Sequence, residues 1–175
     1  MRLESLDGAT TLEMTIFGYE WPDTPRGKLP ANWLMVDLGI QTLHGWGICR
    51  MACMTTWDAV AFADWLQTLG TRETRETRET RERGAPPQLD FGFAEPNLQF
   101  HVSSQSARHV RLHLYFILEQ PGGWQMDDAP EQEGDRQPLN YIGEADLTVR
   151  HASLRRAAVS LRSDLLRFPV RTPQT

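Results

Sequence analysis

Five histidines, two cysteines and one strongly acidic segment are the residues in this chain with types suited to chemistry. His109 and His113 stand four apart, as metal ligands often do. They fall in an alternating apolar/polar run, however, and on a strand that spacing separates them by ~13 Å, too far to share one ion. His101 precedes a polar break and could face His109 across a hairpin, a two-ligand corner without a nearby acid or thiolate. Cys49-x-x-x-Cys53 has no second ligand pair beside it, so zinc is not supported there, and nothing local brings a histidine up to activate either thiol. Glycine patterns for phosphate or dinucleotide binding are missing, as is the Gly-x-Ser-x-Gly elbow. Acids cluster only in residues 119–138, with Glu119, Asp127, Asp128, Glu131, Glu133 and Asp135 against the single base Arg136. A loop of that kind holds rigid acid/base geometry poorly. By residue chemistry the chain reads as non-catalytic, with no cofactor and no metal.

The elements that position these residues follow from periodicity. Leu98, Phe100 and Val102 alternate with Gln99 and His101; Val110, Leu112, Leu114 and Phe116 alternate with Arg111, His113 and Tyr115. Two such runs about a polar turn predict an antiparallel hairpin with one buried face, at the centre of a sheet. Placing the turn at residues 103–106 sets Phe100 opposite Val110 and Leu98 opposite Leu112, with His101, Arg111 and His113 on the polar face. Residues 2–19 read as another hairpin about Asp7-Gly8. Trp33 to Ile40 form the next strand, Gly45 and Gly47 bracket Trp46 in a turn, and residues 48–51 pair back. Thr55 with Asp58 makes a capping box for a helix over 56–69, whose apolar face is Trp57, Ala61, Phe62, Trp65, Leu66 and Leu69, with Gly70 at its end. Tyr141, Ala145, Leu147 and Val149 mark a last strand. A closing helix runs from about Ala152 to Arg167, with Leu154, Ala158, Leu161 and Leu165 inward and Phe168 tucked beneath its end.

The expected fold class is α+β, a mainly antiparallel β-sheet of about six to eight strands packed against two amphipathic helices, in one domain over residues 1–175. A chain of this length buries roughly 70% of its unfolded surface without staples. Residues 71–87 hold a Thr-Arg-Glu repeat and a Pro-rich linker. A three-residue period matches neither helix nor strand, and its i,i+4 pairs bring only ~0.2–0.5 kcal/mol each, so it reads as a surface tract. The net charge of −5 argues against direct nucleic-acid binding. No apolar run approaches the ~18 residues of a membrane span, the amino terminus lacks a signal pattern, and two free thiols fit a reducing cytoplasm.

Several segments resemble one family in order and spacing: Gly18-Tyr19-Glu20-Trp21-Pro22-Asp23, Ala31-Asn32-Trp33-Leu34, Cys53-Met54-Thr55-Thr56-Trp57 with Trp65-Leu66, Glu95-Pro96-Asn97-Leu98-Gln99-Phe100, and the closing Leu154…Leu161…Leu165 with Arg167-Phe168-Pro169-Val170-Arg171. Together they are similar to the WapI family of bacterial immunity proteins. The resemblance implies a cytoplasmic protein that neutralises the carboxyl-terminal toxin domain of a contact-dependent polymorphic toxin, in the best-known case a tRNA nuclease. The Thr-Arg-Glu tract and the acidic loop depart from the family pattern. The resemblance carries no catalytic residue, and the Trp and Asn positions of its motifs have a structural account as core anchors and strand ends. For partner binding, the candidates are the acidic loop (Asp127, Asp128, Glu131, Glu133, Asp135) and the polar hairpin face (His101, Arg111, His113). The competing readings are an interaction protein of an unrelated pathway and a metal-dependent enzyme using His101 and His109.

Overall fold

The computed structural model describes residues 1–71, 89–118, 124–125 and 141–171. The fold class is α+β, as the periodicity predicts, but its strands divide between two antiparallel sheets. The first sheet contains β1 (Arg2–Glu4), β2 (Thr11–Tyr19), β3 (Trp33–Thr42), β4 (Gly45–Thr55) and the two-residue β8 (Trp124–Gln125), in the order β1-β2-β3-β4-β8. The second contains β5 (Asp90–Gly92), β6 (Leu98–Gln105), β7 (His109–Leu118) and β9 (Tyr141–Arg150), in the order β5-β6-β7-β9. Their edges meet where Leu6 N–H donates to the Thr148 carbonyl at 2.8 Å and Thr148 N–H to Ser5 Oγ at 3.2 Å.

Each long strand obeys the period of two. Leu12, Met14 and Ile16, then Leu34, Val36, Leu38 and Ile40, then Cys49, Met51 and Cys53, are buried on one face of the first sheet. Leu98, Phe100, Val102, Val110, Leu112, Leu114, Phe116, Leu147 and Val149 do the same in the second. With the helices they form one contiguous core cluster. Both cysteines are buried, and burial pushes Cys53 up to about 12, so its thiol stays protonated and inert.

Two strands run straight into the helices. Thr55 ends β4 and caps α1 (Thr56–Gly70): its hydroxyl accepts from Asp58 N–H at 3.2 Å, while the Asp58 carboxylate accepts from Thr55 N–H at 2.8 Å. Phe62, Trp65, Leu66 and Leu69 are buried as expected, whereas Trp57 is 42% exposed and Ala61 is exposed too. Phe62 lies 4.8–5.1 Å, centroid to centroid, from Phe91, Phe93 and Phe100, which fixes α1 on the β5–β6 end of the second sheet. Arg150 ends β9 and leads into α2 (His151–Leu165), with Leu154, Ala158, Leu161 and Leu165 inward. The helices are joined at their ends. His151 is buried with Nδ1 2.8 Å from the Leu69 carbonyl and Nε2 2.8 Å from the Ser106 carbonyl, so one ring ties α1, α2 and the β6–β7 turn.

Three local expectations are corrected. Trp46 lies inside β4, and the turn before it is Leu43-His44, between the paired residues Thr42 and Gly45. Gly45 takes φ +141, which a side chain would resist. The β6–β7 register is offset from the expected one, with Phe100 opposite Leu114 and Leu98 opposite Phe116. The strand continues beyond the polar break because a bulge between Val102 and Ser104 absorbs one residue, and the turn is pushed to Ser106–Arg108. In consequence His101 faces His113, and His109 lies opposite Arg150 in β9.

Candidate functional site

The outer face of the second sheet gathers the polar positions of its four strands. One row crosses all of them: Asp90 (β5) is paired with His101 (β6), His101 with His113 (β7), and His113 with Asp146 (β9). Successive strands lie ~4.8 Å apart, so these side chains are direct neighbours on one surface. His101 Nδ1 lies 2.6 Å from Asp90 Oδ1. His113 Nδ1 lies 3.2 Å from Asp146 Oδ1, and its Nε2 lies 3.6 Å from Glu144 Oε2. Arg111 donates from Nη2 to Asp146 Oδ2 at 2.8 Å. The next row runs Gln99, Tyr115, Glu144.

Electrostatically the face carries three carboxylates (Asp90, Glu144, Asp146) against two guanidiniums, Arg111 and, at the far end of β9, Arg150. The hydrogen bond from Arg111, seconded by His113, holds the Asp146 carboxyl below its ordinary 3.8 against the opposing effect of partial burial. Gly92, at the end of β5, has no side chain beside Gln99, and the surface dips there. The resulting open depression of about 370 Å³ is lined by Asp90, Gln99, His101, His113 and Tyr115 among others. His101 and Arg111 are about half exposed and His113 somewhat less, at 38%.

The predicted residues His101, Arg111 and His113 are therefore brought together, with Asp146 as the link between the last two. The corner of His101 with His109 does not exist, since the register sets the two well apart along the sheet. No group of three His, Cys, Asp or Glu among the described residues is arranged to hold a metal ion. Asp127, Asp128, Glu131, Glu133 and Asp135 lie outside the described residues, as does the repeat tract beyond Thr71. Asp90, Glu144, Asp146 and Tyr115 were missed. Glu144 and Asp146 are the polar alternates of a recognised strand, and the alternation around Ala145, Leu147 and Val149 already pointed them outward.

The segments that carry the family resemblance meet elsewhere, at a clasp between the two halves of the chain. Asn32, 1% exposed, accepts from Arg171 N–H at 2.7 Å through Oδ1. The Arg171 guanidinium donates to the Trp21 and Pro22 carbonyls at 3.2 and 2.8 Å and lies 4.0 Å above the Tyr19 ring. Tyr19 also packs edge-on against Phe168 and hydrogen-bonds the Pro169 carbonyl. Asn97 is buried, with its side-chain amide 3.7 Å from Met51 Sδ. These residues hold the fold.

A family model, the immunity protein WapI-like family, matches residues 2–169. The chain belongs to the WapI-like immunity protein family. No curated protein and no solved structure matches it. Family membership brings a role in immunity to a toxin. In the immunity protein's scaffold Tyr19, Asn32, Asn97 and Phe168 have packing or hydrogen-bonding duties, whereas Trp21 and Trp57, 52% and 42% exposed, are not the core anchors expected of them. Among the described residues no helix is long and apolar enough to cross a membrane.

Proposed function

We propose that this WapI-like protein is a non-catalytic cytoplasmic antitoxin that binds and neutralises the carboxyl-terminal toxin domain of a contact-dependent polymorphic toxin. Its docking face is the outer surface of the second sheet, with His101, Arg111 and His113 at its centre and Asp90, Glu144 and Asp146 around them. The observation that carries the reading is the family match over residues 2–169. The charge of the face supports it, because three carboxylates to two guanidiniums leave a small acidic excess toward a basic partner such as a tRNA-cleaving nuclease. The acidic loop, through Asp127, Asp128, Glu131, Glu133 and Asp135, adds the same sign. Histidine–carboxylate pairs also serve as general bases, but here both rings stand on an open sheet surface, where water competes for every charge. Docking needs a rigid surface of roughly 800 Å² per partner, of which the four paired strands, 3, 8, 10 and 10 residues long, supply about 500 Å².

The test is to look for a large secreted toxin gene beside the gene for this chain and to co-express that toxin's carboxyl-terminal domain with it, scored by growth. Rescue is expected, and growth arrest despite soluble expression would overturn the reading. Within a rescuing pair, Asp90→Lys with Asp146→Lys should slow association about tenfold or more and flatten its salt dependence. Asp127→Lys with Asp128→Lys should do the same to a smaller degree. On-rates unchanged in either variant would remove that surface from the interface.

A further inference from the structure

The outer side of the helical pair carries charge of the opposite sign to the chain. Residues 151–171 hold five arginines and one acid, Asp164, in a protein of net charge −5. The acids of both helices are engaged inside the fold. Asp58 closes the capping box, Asp164 lies 3.9 Å from the Met1 ammonium, and Asp64 meets Arg162 at 2.6 Å. Three guanidiniums of α2 and its end find only neutral groups. Arg155 donates to the Gly70 carbonyl, Arg156 donates to Ser153 Oγ at 3.0 Å, and Arg167 lies 5.4 Å from the centre of the Phe168 ring.

The apolar residues of this side are ordered as well. Ala152, Val159 and Leu166 follow one another at seven-residue steps, each about 20° short of two turns, and so form one line along α2. Leu166 follows the last residue of the helix and keeps helical backbone, at φ −60 and ψ −28. Val159 is 61% exposed and Leu166 83%. On the helical wheel Arg155 and Arg162 fall to one side of this line, and Arg156 and Arg167 to the other. Gly70 abuts Arg155 and Asp64 pairs with Arg162, so the helices run antiparallel. That sets the exposed Val60 of α1 level with Leu166.

We infer that the outer side of α2 docks on an anionic lipid bilayer, lying on its surface with Val159 and Leu166 among the headgroups and Arg156 and Arg167 on lipid phosphates. An apolar line bordered by guanidiniums is the make-up of a helix in a lipid–water interface, because arginine stems lie along the apolar layer while their ends reach outward. A nucleic acid would engage the arginines but leave the apolar line uncovered. The 15 residues of α2 lie flat on such a surface and are too few to cross it. The helices sit on the buried side of the sheets, so the acidic outer face of the second sheet points away from the lipid. Attachment therefore brings no like-charge repulsion from that face and leaves it open.

Cosedimentation of the full chain with vesicles tests this, using phosphatidylcholine alone and phosphatidylcholine with phosphatidylglycerol as about a third of the lipid. Binding to the anionic vesicles that weakens at high salt is expected, with little binding to the neutral ones. Arg156→Glu with Arg167→Glu should lower it more than about tenfold, and Leu166→Ser about threefold or more. Melting temperatures should not change, because all three side chains are exposed. A chain that ignores anionic vesicles at low salt overturns the inference, as does binding that either variant leaves intact. If the charge reversal lowers the melting temperature, Arg156→Gln with Arg167→Gln repeats the measurement and wild-type binding decides on its own. A chain that binds mixed-sequence RNA through Arg156 and Arg167 but not the vesicles would assign the side to nucleic acid and also overturn it. Because the vesicles carry no toxin, failure leaves the antitoxin reading standing.

Discussion

Asp146 shows how much of this surface is decided by single contacts. Its carboxylate accepts from Arg111 and lies beside His113, and its proton affinity in the folded state is below the ordinary 3.8. Asp37 is held low in the same way by its hydrogen bond with Arg50. For both, the unfolded chain binds a proton more readily than the folded one. Their contribution is therefore fully present above about pH 4 and is lost as pH falls through the folded value. The double variant Asp37→Asn with Asp146→Asn should lose less than about 1 kcal/mol at pH 7, since both pairs are solvent-exposed. Its urea midpoint should fall less steeply than wild type between pH 4 and 2.5. Parallel acid limbs would show that other carboxylates govern acid unfolding. The sequence exposed the outward direction of His101, Arg111 and His113 but not their neighbours. A slide of any even number of residues keeps every side chain on its face, so alternation alone does not distinguish His109 from His113 as the residue opposite His101. The bulge at Val102/Ser104 supplied the missing information.

At the scale of elements, the helices were the most legible part of the chain and their meeting point the least. The Thr55/Asp58 capping box is local chemistry and stands where the residues place it. Trp57 fits an apolar arc with Ala61 and Trp65 on a helical wheel, yet Trp57 and Ala61 are exposed, because the buried arc of α1 runs through Thr56, Ala59, Phe62, Ala63 and Leu66 instead. Gly70 reads in the sequence as a helix stop. In the fold it is also a contact: an added Cβ would lie 2.7 Å from Arg155 Cγ and 3.0 Å from both the Arg155 nitrogen and the His151 carbonyl oxygen. Gly70→Ala should therefore lower stability by about 1–3 kcal/mol, although alanine is the better helix former by about 1 kcal/mol. Thermal melting checks the sign, and a stabilised variant would show that the α1–α2 junction yields easily. Arg155, which donates to the Gly70 carbonyl, and His151 belong to α2, so nothing near Gly70 in sequence announces them.

Across the whole molecule, the fold class and the strand faces were legible because a core imposes periodicity. The division into two sheets was not, because nothing local restricts β5, β6, β7 and β9 to pairing with one another, and the contact that joins the two edges links Leu6 with Thr148, far apart in the chain. The clasp is of the same kind. Its residues stand out as motifs, while their purpose appears only when Arg171 reaches Asn32. Asn32→Ala removes the acceptor for the Arg171 amide and should cost about 1–3 kcal/mol. Hydrogen exchange should then quicken at Arg171 and at Gly27, whose N–H donates to the Arg171 carbonyl, and remain slow in β3. Uniform acceleration throughout would mean that the clasp opens only with the entire fold.

That clasp also sets a schedule. Tyr19 and Asn32 leave the ribosome about 140–150 residues ahead of their partners Phe168, Pro169 and Arg171. A chain still being translated has its first hairpin but lacks the latch that holds the adjoining loop. Immunity would then wait on Arg171, and a chain halted short of that residue would be left without the latch.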